Sequence, residues 1–286
     1  MDALTTVDGR RLSYRRLGSG PVLVCHPGGP GFSSRYFGDL AGLGDRFTLV
    51  LLNPRGTEGS HRPADPRAYT THDYVADLDE LRAHLALDRM LLLGHSHGGV
   101  VAQAYAGRYP DRVERLVLAS TLARFQAVQE QAMQAATAAK AGEPWYEDAS
   151  DALKAEQEGR WTTDEELAAI VLRELPFYFR TYGEREQAYL RTLEGEVPVG
   201  DALRLFNEEI FTAFDLRPAL DRITAPTLVL TGEDDFICGP VCARELADGV
   251  AGSETILLPE CGHFVFVERA EAFADAVNGF LGLGRT

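Results

Sequence analysis

Lysine is nearly missing from this chain: among its 28 basic residues only Lys140 and Lys154 are lysines. The 43 acidic residues outnumber the bases and leave a net charge of −15. That balance argues against nucleic acid, whose phosphates it would repel. Long apolar runs are absent too. No stretch of about eighteen apolar residues exists to cross a bilayer, and the start Met1-Asp2-Ala3-Leu4-Thr5 has neither a basic region nor an apolar core of a signal peptide. A cytoplasmic protein with no membrane partner is the expectation. Cysteine is sparse, at Cys25, Cys238, Cys242 and Cys261. Cys238 and Cys242 stand four apart, but no Cys-x-x-Cys pair or histidine cluster accompanies them, so no metal site is expected. Free thiols in a reducing compartment follow.

What is present alternates between strand and helix. Leu4–Tyr14 alternates around Asp8-Gly9 and reads as a β-hairpin. The runs 21–25, 47–52, 90–93 and 113–119 are short, Val- and Leu-rich and mostly end in glycine-containing loops, as strands buried on both faces do. Between them, 74–87 carries Val75, Leu78, Leu81 and Leu85 at helical spacing, and 99–109 is small and apolar throughout. This order implies a parallel sheet with right-handed crossovers. From about 124 to 214 the chain turns Ala-, Glu- and Gln-rich with helical periodicity. Strands resume at 226–231 and 254–258, and an amphipathic helix follows near 269–281. The expectation is an α/β core of residues 1–122 and 215–286, with 123–214 inserted as a helical cap.

The chemistry sits at strand ends. Gly94-His95-Ser96-His97-Gly98 is a G-x-S-x-G elbow between the run 90–93 and a small-residue helix. Such a turn strains the serine backbone and leaves no room for side chains two residues away. A serine hydroxyl needs a base to take its proton. In the chain order Ser, acid, His, the base is His263, in Cys261-Gly262-His263-Phe264, and the acid lies in Gly232-Glu233-Asp234-Asp235. Asp235 is the choice and Asp234 the reserve. The loop His26-Pro27-Gly28-Gly29-Pro30-Gly31 brings backbone N–H groups near a ligand, so Gly28, Gly29 and His97 are expected to form the oxyanion hole. A binding protein on the same scaffold would need none of nucleophile, acid and base. Halide or epoxide chemistry would place Asp where Ser96 stands.

These motifs together resemble the proline iminopeptidase family of α/β hydrolases, over roughly residues 4–122 and 215–284. The resemblance implies an α/β-hydrolase fold: a mostly parallel central sheet, helices on both faces and an inserted helical cap. It also implies an aminopeptidase releasing an N-terminal residue from short peptides or amides, with no cofactor. Pro27 directly precedes Gly28-Gly29-Pro30-Gly31 where the family has histidine. His97 replaces its usual Trp or Tyr, and Asn53-Pro54-Arg55-Gly56 its Asp-Gln-Arg-Gly. Enzymes of this kind bind the substrate amine through cap glutamates, which implies Glu174, Glu208 or Glu209 here. The alternative is a carboxylesterase or C–C bond hydrolase with a small uncharged substrate. The oligomeric state stays open.

Overall fold

The structure is a computed structural model that describes every residue except Thr212, residues 283–286 and the side chains of Glu209 and Ile210. Alternation of apolar residues builds the opening hairpin. β1 (Asp2–Thr5) pairs antiparallel with β2 (Arg11–Leu17), which places Leu4 opposite Leu12. The continuous apolar runs become β3 (Val22–His26), β4 (Thr48–Leu52), β5 (Met90–His95), β6 (Val113–Ala119), β7 (Thr227–Gly232) and β8 (Glu254–Leu258). The sheet has eight strands in the order β1-β2-β4-β3-β5-β6-β7-β8. β2 joins β4 antiparallel, and all pairs from β4 to β8 are parallel.

Both faces are covered, which is why these strands are apolar at consecutive positions. Leu23, Leu49, Leu51 and Leu93 face a core shared with α11 (Ala270–Phe280). Val24, Val50, Leu92 and Leu118 face α1 (Thr71–His84), α2 (His97–Arg108) and α9 (Pro240–Gly249). The sequence places the start of α1 at Tyr74, whereas the helix begins three residues earlier. The reason is a capping box: the Asp73 N–H donates to Thr70 Oγ1 (3.3 Å) and the Thr70 N–H to Asp73 Oδ2 (3.0 Å).

Between β6 and β7 the described chain is helical: α3 (Ala127–Ala138), α4 (Tyr146–Gln157), α5 (Asp164–Glu174), α6 (Glu184–Arg191) and α7 (Gly200–Leu205). The two ends of this segment meet in an isolated antiparallel backbone bridge between Arg124 and Asp215, with the Leu216 N–H on the Ala123 carbonyl (2.9 Å). After it come α8 (Arg217–Leu220), α9, and α10 (Val265–Glu268) just before α11. No helix among the described residues is long and apolar enough to cross a membrane.

Candidate active site

The strand order creates the crevice. From β3 the chain moves to β4 on one side, and from β5 it moves to β6 on the other. Loops leaving the carboxyl ends of β3 and β5 therefore diverge, and such a switch point is where α/β sheets bind ligands. Here those loops are Pro27–Gly31 and the Ser96 elbow.

β5 ends at His95 and α2 begins at His97, so Ser96 alone makes the turn, at φ +55°, ψ −125°. A non-glycine residue in that region carries strain of roughly 1–3 kcal/mol. Neighbouring bonds hold it there. The Ser96 N–H donates to the Ala119 carbonyl (3.0 Å), and its own carbonyl accepts from the Gly99 N–H (2.8 Å) and Thr121 Oγ1 (2.7 Å). The glycine at 98 is a packing requirement, because a Cβ there would stand 2.1 Å from the His26 carbonyl oxygen. A Cβ on Gly28 would stand 2.7 Å from Ser96 Cβ, so the loop after β3 runs directly against the serine.

One member of the expected oxyanion set is already engaged. The Gly28 N–H donates to Tyr36 Oη at 2.6 Å. The donors left from that set are Gly29 and His97, the latter in the first turn of α2, where backbone N–H groups have no intrahelical acceptor. The His97 ring is buried edge-on between Tyr74 (5.3 Å) and Phe206 (5.0 Å), and burial pushes its pKa down to about 3. It is neutral packing.

The structure separates the adjacent carboxylates 234 and 235. Asp235 Oδ2 lies 2.9 Å from His263 Nδ1, while Oδ1 accepts the N–H groups of Ile237 (3.1 Å) and Cys238 (2.9 Å). Burial works to raise its pKa, but His263 and those two donors hold it below the ordinary aspartate value. An ionised Asp235 can only accept, so Nδ1 carries a hydrogen, and Nε2 is the nitrogen left to act as a base. Asp234 turns outward and pairs with Arg180 at 3.1 Å. Asp235→Asn is therefore expected to lower kcat by a factor on the order of 10⁴, because an amide either misorients the imidazole or imposes the wrong tautomer. Asp234→Asn should stay within a few-fold of the parent. Steady-state assays of the two variants reveal an inverted assignment directly.

Ser96 and His263 line one cavity of ≈310 Å³. Its walls are mostly apolar, with Phe32, Phe125, Met133, Val171 and Phe206 among them, yet Glu130, Glu156, Glu174 and Glu196 also reach it. Glu174, expected from the sequence, is buried at the end of α5, and its Oε2 has no hydrogen-bond partner among the described residues. Burial, reinforced by the Glu156 charge and offset in part by the Tyr178 hydroxyl, raises its pKa well above the ordinary value. Glu156 Oε1 accepts from Asn207 Nδ2 (2.6 Å), and burial raises that carboxyl too.

Glu208 is elsewhere. It is exposed, 3.7 Å from Arg204, because its turn presents Phe206 and Asn207 to the cavity and so directs the next side chain to solvent. The side chain of Glu209 lies outside what the structure describes. The inward partner of Glu174 is thus Glu156, which sequence reading missed. Its signal was its place on the buried stripe of Ala149 and Ala152, seven and four residues before it, a face that alanine does not advertise. All four cysteines are free and buried, and Cys238 serves the site only through its backbone N–H.

Comparison with known proteins agrees with this architecture. A family model described as alpha/beta hydrolase fold matches residues 21–270. The chain is 28% identical over 281 residues to proline iminopeptidase PfmaB of Pestalotiopsis fici, covering 96% of this chain and 97% of that one. It is 29% identical to a proline iminopeptidase of Lactobacillus crispatus, covering 95% and 93%. Among solved structures, an enol-lactonase from Burkholderia xenovorans LB400 superposes with a TM-score of 0.75 at 28% identity, over 98% of this chain and 99% of that one. Strand order, elbow and family match lead to one conclusion: the chain belongs to the α/β-hydrolase fold family.

Proposed function

We propose that the chain is a serine aminopeptidase that releases the N-terminal residue, proline among the candidates, from short peptides or aminoacyl amides. Residues 123–214 act as the cap that holds the substrate amine. Ser96 Oγ attacks the scissile carbonyl as its proton passes to His263 Nε2. The oxyanion is met by the N–H groups of Gly29 and His97, and Asp235 stabilises the imidazolium through Nδ1. His263 then protonates the leaving amine, and a water deprotonated by the same nitrogen releases the acyl group.

The observation that carries the substrate class is the pair of Glu174, buried, and Glu156, half-buried, in the mostly apolar wall of the serine's cavity. Burying two carboxylates side by side is costly unless a cation joins them. An N-terminal ammonium is such a cation, and two relatives named proline iminopeptidase support the choice. The likeness to an enol-lactonase and the apolar walls favour an ester or lactone as the second reading.

A panel of aminoacyl-arylamides, free and N-acetylated, separates the two. Acetylation is expected to lower kcat/KM by about 100-fold or more, equivalent to ~3 kcal/mol of charge-assisted bonding. Equal cleavage of the free and acetylated substrates would overturn the aminopeptidase reading and leave the esterase in its place.

A further inference from the structure

Three hydrogen bonds outside the Ser–His–Asp set join the two sides of the crevice. The Gly28 N–H donates to Tyr36 Oη (2.6 Å), Tyr36 Oη lies 2.9 Å from His95 Nδ1, and His95 Nε2 lies 3.1 Å from the His263 carbonyl oxygen. Tyr36 and His95 are both buried. Only one placement of protons satisfies every contact. The backbone carbonyl of His263 can only accept, so His95 Nε2 carries a hydrogen. The Gly28 N–H can only donate, so Tyr36 Oη accepts it and sends its own hydrogen to an unprotonated His95 Nδ1. The aromatic rings of Phe37, Phe264 and Phe266 enclose the imidazole at 5.2–6.1 Å, and burial pushes its pKa down to about 3, so it stays neutral.

We propose that Tyr36 and His95 form a neutral relay that holds the oxyanion-side loop and the base-side loop in register across Ser96, which makes both of them positioning residues for acyl transfer. The proposal rests on the reading of Ser96 as the nucleophile. Gly28 already lies against Ser96, and the next residue, Gly29, supplies an oxyanion donor. A shift of the loop therefore misplaces that donor relative to the developing charge. At the other end, the anchored carbonyl belongs to the residue whose ring is the base. Misplacement of such groups by about 1 Å costs up to 100-fold in rate without touching the substrate. The relay also uses the single proton of Tyr36, so this hydroxyl is not itself an oxyanion donor.

The test uses an aryl ester, with rates counted per site titrated by a fluorophosphonate so that misfolded protein drops out. Tyr36→Phe and His95→Leu are expected to lower kcat by about 10- to 100-fold with KM within about two-fold, and to weaken an arylboronate, which mimics the tetrahedral intermediate, by the same factor. The double variant should be no worse than the poorer single one, since either change breaks the same relay. His95→Gln should recover most of the rate, because its amide oxygen accepts from Tyr36 and its NH₂ donates to the His263 carbonyl. An unchanged kcat per titrated site in Tyr36→Phe, losses that multiply in the double variant, or a His95→Gln enzyme as slow as His95→Leu would each overturn the relay alone. A parent enzyme that fails to react with the fluorophosphonate at Ser96 overturns the nucleophile reading, and the relay with it.

Discussion

Ser96→Ala is expected to lower kcat on an aryl ester by a factor on the order of 10⁴ or more, about 5 kcal/mol of transition-state stabilisation, with the fold retained. The retained fold follows from the bonds at this residue: its backbone N–H and carbonyl hold the elbow, so removing Oγ leaves the Ala119, Gly99 and Thr121 contacts in place. His263→Ala should cost about as much. The double variant should cost no more, because nucleophile and base act as one unit in the proposed mechanism. What activity remains would come from binding and from the oxyanion donors. Circular dichroism checks folding, and mass spectrometry of the phosphonate adduct locates the reactive atom. A Ser96→Ala enzyme keeping more than about one per cent of parental kcat would move the nucleophile elsewhere.

The parts of the fold legible in the sequence were those governed by local rules. Strands buried on both faces declared themselves as unbroken apolar runs, and each boundary of β3 to β8 lies within two residues of the expected one. The elbow was legible because glycine is forced at 98 by a neighbouring carbonyl, which no other residue would tolerate. The choice between Asp234 and Asp235 was not settled by spacing. It depends on which side chain the turn after β7 directs inward, and the N–H groups of Ile237 and Cys238 decide that. Tyr36 escaped notice for a similar reason. Its short helix at Ser34–Phe37 reads as an ordinary turn, and only the packing of three loops brings its hydroxyl to Gly28 and His95. The proposed amine site was legible by half. Glu174 stands out as a carboxylate within Leu172–Phe179, whereas Glu156 and Glu208 look alike in sequence. Which of them turns inward is set by how the inserted helices pack, a property of residues far from either.

Glu174→Gln is expected to lower kcat/KM for a free-amine aminoacyl-arylamide by about 100-fold, mostly through KM, and to leave a small aryl ester within about two-fold. Glu156→Gln should behave alike, and Glu208→Gln should do nothing. The ester uses the same Ser96, His263 and oxyanion donors without an amine, so it reports damage to the chemistry apart from damage to recognition. A stability measurement gives an independent readout of the same site. Glu174 in the folded protein has a pKa raised well above the ordinary 4.5, so above pH 4.5 the unfolded chain releases this proton before the folded one does. Protons bound to the folded state then exceed those on the unfolded state, and stability falls as pH rises through that window. Glutamine has no proton to lose. Glu174→Gln should therefore flatten this decline and melt at a higher temperature than the parent at neutral pH, even as it loses the amine. A free-amine ligand should raise the parent's melting temperature more than the variant's, since its ammonium compensates the charge that burial penalises. Equal loss of ester and amide turnover in Glu174→Gln, or a variant that melts lower than the parent at neutral pH, would mean that Glu174 is structural and that the amine is held elsewhere.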